Sequence, residues 1–289
     1  MKDLFTISTV IPTFNREIFL KKAIKSCLNQ TINHEIIVCN HGGTDRTDEM
    51  IKEFDGRIKY IKKTKDNGLH YCLLDGIMEA KGKFINLLFD DDWLEPDYLE
   101  ECSKYLHDTN IGFVFSQANI FNENTQQIEK IFYDDFLKKD GVYKIAKYEF
   151  FLLKQLFSPT SFIVRKKDMI DSLYNGNLPF AKYDYKGVGP DRFIILLCML
   201  RYKKFGYINK PLVYFREHKN SITIDANLNK DKAIFFEKAR DEVDKYYYIL
   251  KYGKFFSFFQ NKYFFKLRFI LNEPKYAIKK LFLKMTGTK

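Results

Sequence analysis

Long apolar runs are absent from this 289-residue chain. The longest, FIILLCML at Phe193–Leu200, falls far short of the roughly 20 residues a membrane-spanning helix needs, so the chain is not expected to be integral to a membrane. Cysteine is sparse and scattered. Cys27, Cys39, Cys72, Cys102 and Cys198 form no CxxC pair and total an odd number, which excludes a disulfide framework and zinc-finger spacing and points to the reducing cytoplasm. The N-terminal MKDLFTISTVIPTF lacks the apolar core of a signal peptide. No GxxxxGK[ST] phosphate loop occurs, and NHGGTD does not fit GxGxxG, so P-loop and dinucleotide chemistry are disfavoured. Tryptophan occurs once, as Trp93, although Phe (29) and Tyr (19) are plentiful.

Acids nearly vanish towards the C-terminus. Between Lys245 and Lys289, 11 Lys or Arg face a single acid, Glu273, so that stretch carries +10 of the net +11. KYYYILKYGKFFSFFQNKYFFKLRFIL interleaves aromatics with cations. EPKYAIKKLFLKM places Ala277, Ile278, Leu281, Phe282 and Met285 on one helical face. This composition suits a helix lying on an anionic membrane surface, and equally an amphipathic helix packed on its own domain with a solvated lysine face. Nothing upstream supports nucleic-acid binding.

What is present reads as alternating strands and helices. FTISTVIPTFN is a buried strand running into a loop, REIFLKKAIKSCLNQT a helix, HEIIVCN a strand, and RTDEMIKEF a helix capped by Thr44 or Asp45. RIKYIKK is a third strand, NGL a turn, HYCLLDGIMEAKG a helix, and KFINLLF a fourth strand. This pattern predicts a mostly parallel sheet with ligands at the strand C-termini, where TFN, NHGG and DDD all fall. IGFVFSQANIF, SFIVRKK and YINKPLVYFREH are further strands, GPDRFIILLCMLRYKKFG a buried helix, and the chain beyond Asn227 helical.

Behind the apolar INLLF stand three consecutive carboxylates, Asp90, Asp91 and Asp92. Like charges so close are costly unless a cation joins them, and oxygen-only ligation suits Mn²⁺ or Mg²⁺. A helix N-cap in DDDWLEPDYLE is the plainer alternative.

Together, STVIPTFNREIFLKKAIKSCLNQT, EIIVCNHGGTDRT and AKGKFINLLFDDDWLEPDYLE resemble a family-2 glycosyltransferase, closely over about residues 5 to 105 and more loosely to about 225. The resemblance implies an α/β fold of the GT-A type, with a mostly parallel, Rossmann-like sheet flanked by helices over 1–225. A helical, basic and aromatic extension over 226–289 follows it. It implies a metal-dependent inverting enzyme that moves a sugar from a nucleotide-diphosphate donor, a UDP-sugar foremost, to a glycan or lipid-linked acceptor of a bacterial surface polysaccharide. Such an enzyme would sit at the inner face of the cytoplasmic membrane. Pro12, Thr13, Phe14 and Asn15 would line the nucleotide pocket with Asn40, His41, Gly42 and Asn67. Asn40 and His41 stand where the family often has two Asp, one of which commonly meets the base. Counted back from Pro96, Asp91 takes the metal position, Asp90 faces the ribose and Asp92 assists at metal and donor. Asp191 is the implied general base, or a simple helix cap, with Pro190 where an acid is common. Arg216 and His218 of YFREHKNSIT would meet the diphosphate or metal, unless Arg216 merely pairs with a neighbouring acid such as Glu217. The departures at NHGG and Pro190 keep open a second reading, a membrane-associated module with this fold and no activity.

Overall fold

A computed structural model describes residues 6–134, 136–155, 157–173, 190–218 and 230–256. The chain divides into two compact units, Met1–Tyr247 and Tyr248–Lys289. Of the second, only the helical stretch to Phe256 is described, so the expected EPKYAIKKLFLKM helix and the 225/226 boundary lie outside the described residues.

The first unit is built on a ten-stranded mixed sheet. Strands β1 (Ile7–Thr13), β2 (Glu35–His41), β3 (Lys59–Lys63) and β4 (Phe84–Leu87) run parallel in the order 3-2-1-4. Every residue of β1 and β2 is buried, including the polar Ser8, Thr9, Glu35 and Asn40, as strands covered on both faces are. Helix α1 (Glu17–Leu28) packs on β1, and α3 (Leu69–Glu79) packs across β1 and β2. The approach of α3 depends on Gly76, where an added Cβ would lie 2.5 Å from Val10 and 2.6 Å from the Cys39 sulfur.

Past β4 the sheet turns mixed. Strand β9 (Phe162–Arg165) is antiparallel to both β4 and β6 (Ile111–Asn122), and β10 (Lys204–Glu217) is parallel to β6. Two antiparallel steps restore direction, so β1, β2, β3, β4, β6 and β10 all end at one edge. Short strands β5 (Trp93–Leu94) and β8 (Gly141–Lys144) border β10, and β7 (Gln127–Phe132) borders β6. The register of β10 shifts around Pro211, which lacks the N–H a regular ladder uses.

Several sequence expectations are corrected. DDD does not begin a helix: it leads into β5, and helix α4 (Tyr98–Ser103) starts later without a side-chain cap. The helix read through Gly206 ends earlier, α7 being Pro190–Arg201. From Lys204 the chain pairs with β6 and β8, and Phe205 stacks on Phe113 at 5.6 Å, so sheet burial overrides helical propensity. The N-cap of helix α2 (Thr47–Ile51) is Arg46, without a side-chain cap bond. Asp45 stands one residue earlier, its Oδ1 accepting from Thr47 N at 3.1 Å and its other oxygen from Glu17 N at 3.0 Å at the start of α1. Helices α5 (Ile145–Lys154) and α6 (Lys166–Ser172) complete the middle of the chain.

The last described helix, α8 (Lys230–Phe256), bears out the helical reading there. Within the first unit it buries Ala239, Val243 and Tyr247. Arg192 of α7 donates from Nε and Nη2 to Asp244 at 2.6 and 2.8 Å and also reaches the carbonyls of Leu153 and Gln155. Among the described residues no helix is long and apolar enough to cross a membrane.

Candidate active site

The shared edge gathers the polar ends of β1, β4, β6 and β10 around the Asp triplet. Thr13, the last residue of β1, donates its hydroxyl to Asp90 Oδ2 at 2.8 Å. Arg16 bridges two members, Nη1 lying 3.2 Å from Asp90 Oδ1 and 2.9 Å from Asp91 Oδ2. His218 Nε2, just past β10, meets the same Asp91 Oδ2 at 3.1 Å. Arg16 and His218, from opposite ends of the first unit's sequence, thus share one carboxylate oxygen.

Asp92 points elsewhere. Its Oδ2 accepts from Thr160 at 2.8 Å and its Oδ1 from the Arg216 amide at 3.1 Å. Both oxygens of this expected metal ligand are therefore committed to holding the loop. Arg216, expected to meet the diphosphate, is buried between Phe19 and Trp93, 4.7 Å from each ring. It donates from Nε to the Asp91 carbonyl at 2.8 Å and pairs through Nη1 with Glu123 rather than Glu217. Trp93 stacks on Tyr214 at 4.6 Å and lies beneath the Lys22 ammonium. Burial, aided by the nearby Arg216 charge, holds Lys22 below its usual pKa. The single tryptophan and both of these cations thus brace the backbone beneath Asp91.

The nucleotide-side loops are tied to one another. Asn15 adopts a positive φ of 54°, and its Oδ1 accepts from Thr44 N and Asp45 N at 2.7 and 3.2 Å, leaving the neighbouring Phe14 ring exposed. Pro12 is buried inside β1. Asn40 Oδ1 accepts from Gly43 N and its Nδ2 donates to the Tyr60 hydroxyl, which in turn donates to Asp48. His41 is buried, its Nε2 lying 3.2 Å from Asp75 Oδ2 but out of line for a hydrogen bond. Gly42 has φ +76°, and a Cβ there would lie 2.5 Å from Asp66 N. The exposed Asn67 follows in the same turn, which Asp66 closes by accepting from Gly68 N. A cavity of about 660 Å³ opens instead where α1 ends and β2 begins, beside His34. It holds none of these residues.

Asp191 lies in the first turn of α7 and accepts from Arg192 N at 2.8 Å. Burial raises its pKa above the ordinary carboxylate range. Its charge also acts on the Tyr133 phenol, which hydrogen-bonds to Ser161 and to the Ser158 backbone, and the Pro159–Ser161 turn carries the Thr160 that holds Asp92. Arg16, Thr160 and Glu123 escaped the sequence reading. Only Arg16 carried a signal, as a cation directly after the TFN loop.

Among the described residues no group of three or more His, Cys, Asp or Glu is arranged to hold a metal. The donor set nevertheless fits a cation of the kind shared with substrate, since Mg²⁺ or Mn²⁺ bound with phosphates takes only one or two protein carboxylates and completes its shell with water and phosphate oxygens. Asp91 and His218 would supply the protein side. Burial, opposed by Arg16 and aided by the Asp91 charge, lifts Asp90 from an ordinary 3.8 to about 6. Burial, then the Asp91 charge, pushes Asp92 well up too. A raised carboxyl pKa means the folded state keeps a proton that the unfolded chain has released, so Asp90 makes stability fall as pH rises from about 3.8 to about 6. Asp90→Asn is thus expected to raise the unfolding free energy of the metal-free protein by ~2–3 kcal/mol at pH 7.5. Urea unfolding at pH 7.5 and pH 4 checks this: the gain should vanish at the lower pH, and an equal gain at both would contradict it.

The profile described as Glycosyl transferase family 2 matches residues 8–172, more than half of the chain. A β-1,3-glucosyltransferase of Campylobacter jejuni, named for the acceptor GalNAc(5)-diNAcBac-PP-undecaprenol, is 30% identical over 77% of this chain and 69% of its own. Glycosyltransferase GlyA of Streptococcus pneumoniae is also 30% identical, over 75% of this chain, but the match spans only 31% of that protein. Among solved structures, Staphylococcus aureus TarS 1–349 with UDP-GlcNAc superposes with a TM-score of 0.59 at 16% identity, covering 95% of this chain and 79% of that one. A Pyrobaculum calidifontis mannosyltransferase with GDP-Man and Mn²⁺ gives 0.51 at 15% identity, covering 77% and 60%. With a matching profile, relatives that are named transferases and a mixed sheet shared with GT-A transferases, the chain belongs to glycosyltransferase family 2.

Proposed function

We propose that the chain transfers a sugar, with inversion, from a nucleotide-diphosphate donor to a hydroxyl of a lipid-linked glycan, with Mn²⁺ or Mg²⁺ as cofactor. The observation that carries this is the meeting of Asp91 and His218 at 3.1 Å on the strand-end edge. The bound cation's contribution is neutralisation of charge on the departing diphosphate. The Campylobacter relative and Escherichia coli WfgD, 30% identical over 57% of this chain, are both named for undecaprenol-diphosphate acceptors, which supports an acceptor of that class. TarS was solved with UDP and with UDP-GlcNAc, which supports a UDP-sugar.

In this reading the Thr13–Asn15 turn, Gly42 and the exposed Asn67 bound the nucleoside side, with Asp90 toward the ribose. Asn40, its oxygen already taken by Gly43 N, keeps one amide N–H for the base. Asp91 and His218 hold the cation, and Asp92 with Arg216 keeps Asp91 in place. The acceptor oxygen attacks the anomeric carbon from the face opposite the diphosphate. The bond from that carbon to the diphosphate oxygen breaks, and the acceptor proton passes to Asp191. A carboxylate with a raised pKa is a stronger base, so burial of Asp191 favours this step. Asp191→Asn should therefore leave UDP affinity within about twofold while lowering kcat by ~10²–10⁴, the usual share of a general base. In the parent enzyme the acid limb of kcat should lie above the ordinary carboxylate range. Near-normal turnover of the variant would remove Asp191 from this role.

We further assign catalysis to residues 1–225 and, within the 226–289 extension, contact with an anionic bacterial membrane to the strongly basic stretch from Lys245, placing the enzyme at the inner face. Because Tyr247 closes the first unit and is buried within it, a chain ending there keeps that packing. It should retain its melting temperature and UDP binding yet no longer sediment with vesicles rich in phosphatidylglycerol. Unchanged sedimentation would sink the assignment.

A further inference from the structure

Arg16 occupies an oxygen that the proposed cation needs. Its Nη1 lies 2.9 Å from Asp91 Oδ2, the atom that His218 also meets, and 3.2 Å from Asp90 Oδ1. A divalent cation and a guanidinium cannot share that oxygen without strong repulsion. The two arginines of the site differ in freedom. The Arg216 side chain is 6% exposed, caged by Phe19 and Trp93 and bonded to Glu123 and the Asp91 carbonyl. Arg16 is 31% exposed, and the hydrogen bonds described for its guanidinium go to the two carboxylates alone. It stands at the residue before α1, where the β1 loop opens to solvent.

Resting on the metal reading above, we infer that Arg16 couples the two ligands: it neutralises Asp90 and Asp91 in the free enzyme and passes to the donor's diphosphate when the cation takes Asp91. The exchange keeps every charge partnered. A cation arriving alone must displace Arg16 from the two carboxylates it pairs with, and a diphosphate arriving alone meets the carboxylates it most strongly repels. Arriving together, the diphosphate receives the guanidinium, whose planar fork suits phosphate oxygens, and the freed Asp91 oxygen receives the cation. Each ligand then strengthens the other by the same factor.

The test is Mn²⁺ binding, followed by the paramagnetic resonance of free Mn²⁺, to the full chain with and without UDP. In the parent protein, UDP should strengthen Mn²⁺ binding by about tenfold or more, within the usual range of coupling energies. In Arg16→Gln, Mn²⁺ alone should bind several-fold more tightly than to the parent, and the UDP enhancement should shrink by about tenfold. Arg16→Lys preserves the charge that holds the triplet folded but lacks the fork. It carries the test if the glutamine variant does not fold, with an enhancement reduced by about threefold. An enhancement equal to the parent's in either folded variant overturns the inference and leaves Arg16 a fixed counter-ion. Absence of Mn²⁺ binding to the parent, with and without UDP, instead overturns the metal reading itself.

Discussion

Mutual repulsion among Asp90, Asp91 and Asp92, held largely out of water at the end of β4, is the constraint around which this edge of the molecule is arranged. Each carboxylate meets it differently. Asp90 is answered by a hydroxyl and Arg16, Asp91 by Arg16 and His218, and Asp92 by Thr160 and a backbone amide. Burial without full compensation keeps Asp90 and Asp92 readier to hold a proton than ordinary carboxylates. A site that destabilises its own fold in this way is what ligand binding relieves, since any species that binds only the folded state shifts the balance toward it.

The supports come from far apart in the chain because the sheet brings strand ends together regardless of sequence order. β1 delivers Thr13, β4 the triplet, β6 Glu123, and β10 Arg216 and His218. The antiparallel β9, inserted between β4 and β6, keeps all four pointing the same way. Trp93 then acts as mortar rather than as a ligand platform. Tyr214, Lys22 and Arg216 all pack on it, so the backbone of Asp91 rests on a rigid aromatic base.

Much of this was legible in the sequence. The alternation from FTISTV to INLLF contained the four parallel strands as short β-branched and apolar stretches punctuated by turn residues, although β3, KYIKK, is only half-buried at the sheet border. The DDD triplet stood out because three like charges behind a buried strand need a cause. Less legible were features set by tertiary partners. The KKFG stretch looks helical locally and becomes strand only because β6 and β8 flank it. Asp92 and Arg216 look like donor ligands, yet Thr160, Trp93 and Phe19 engage them from distant segments. Arg16 reads as an ordinary helix-start residue until the fold sets it against Asp90 and Asp91.

The central claim is that the triplet is half of a site that a cation and a nucleotide diphosphate complete. Thermal unfolding of the parent protein and of Asp91→Asn with UDP-, GDP-, CMP- and dTDP-sugars, each with and without Mn²⁺, tests it most directly. The account predicts that one donor raises the melting temperature of the parent strongly and only with Mn²⁺, and that the metal-dependent part is lost in Asp91→Asn. An equal rise without metal, or an undiminished metal-dependent rise in the variant, would contradict it.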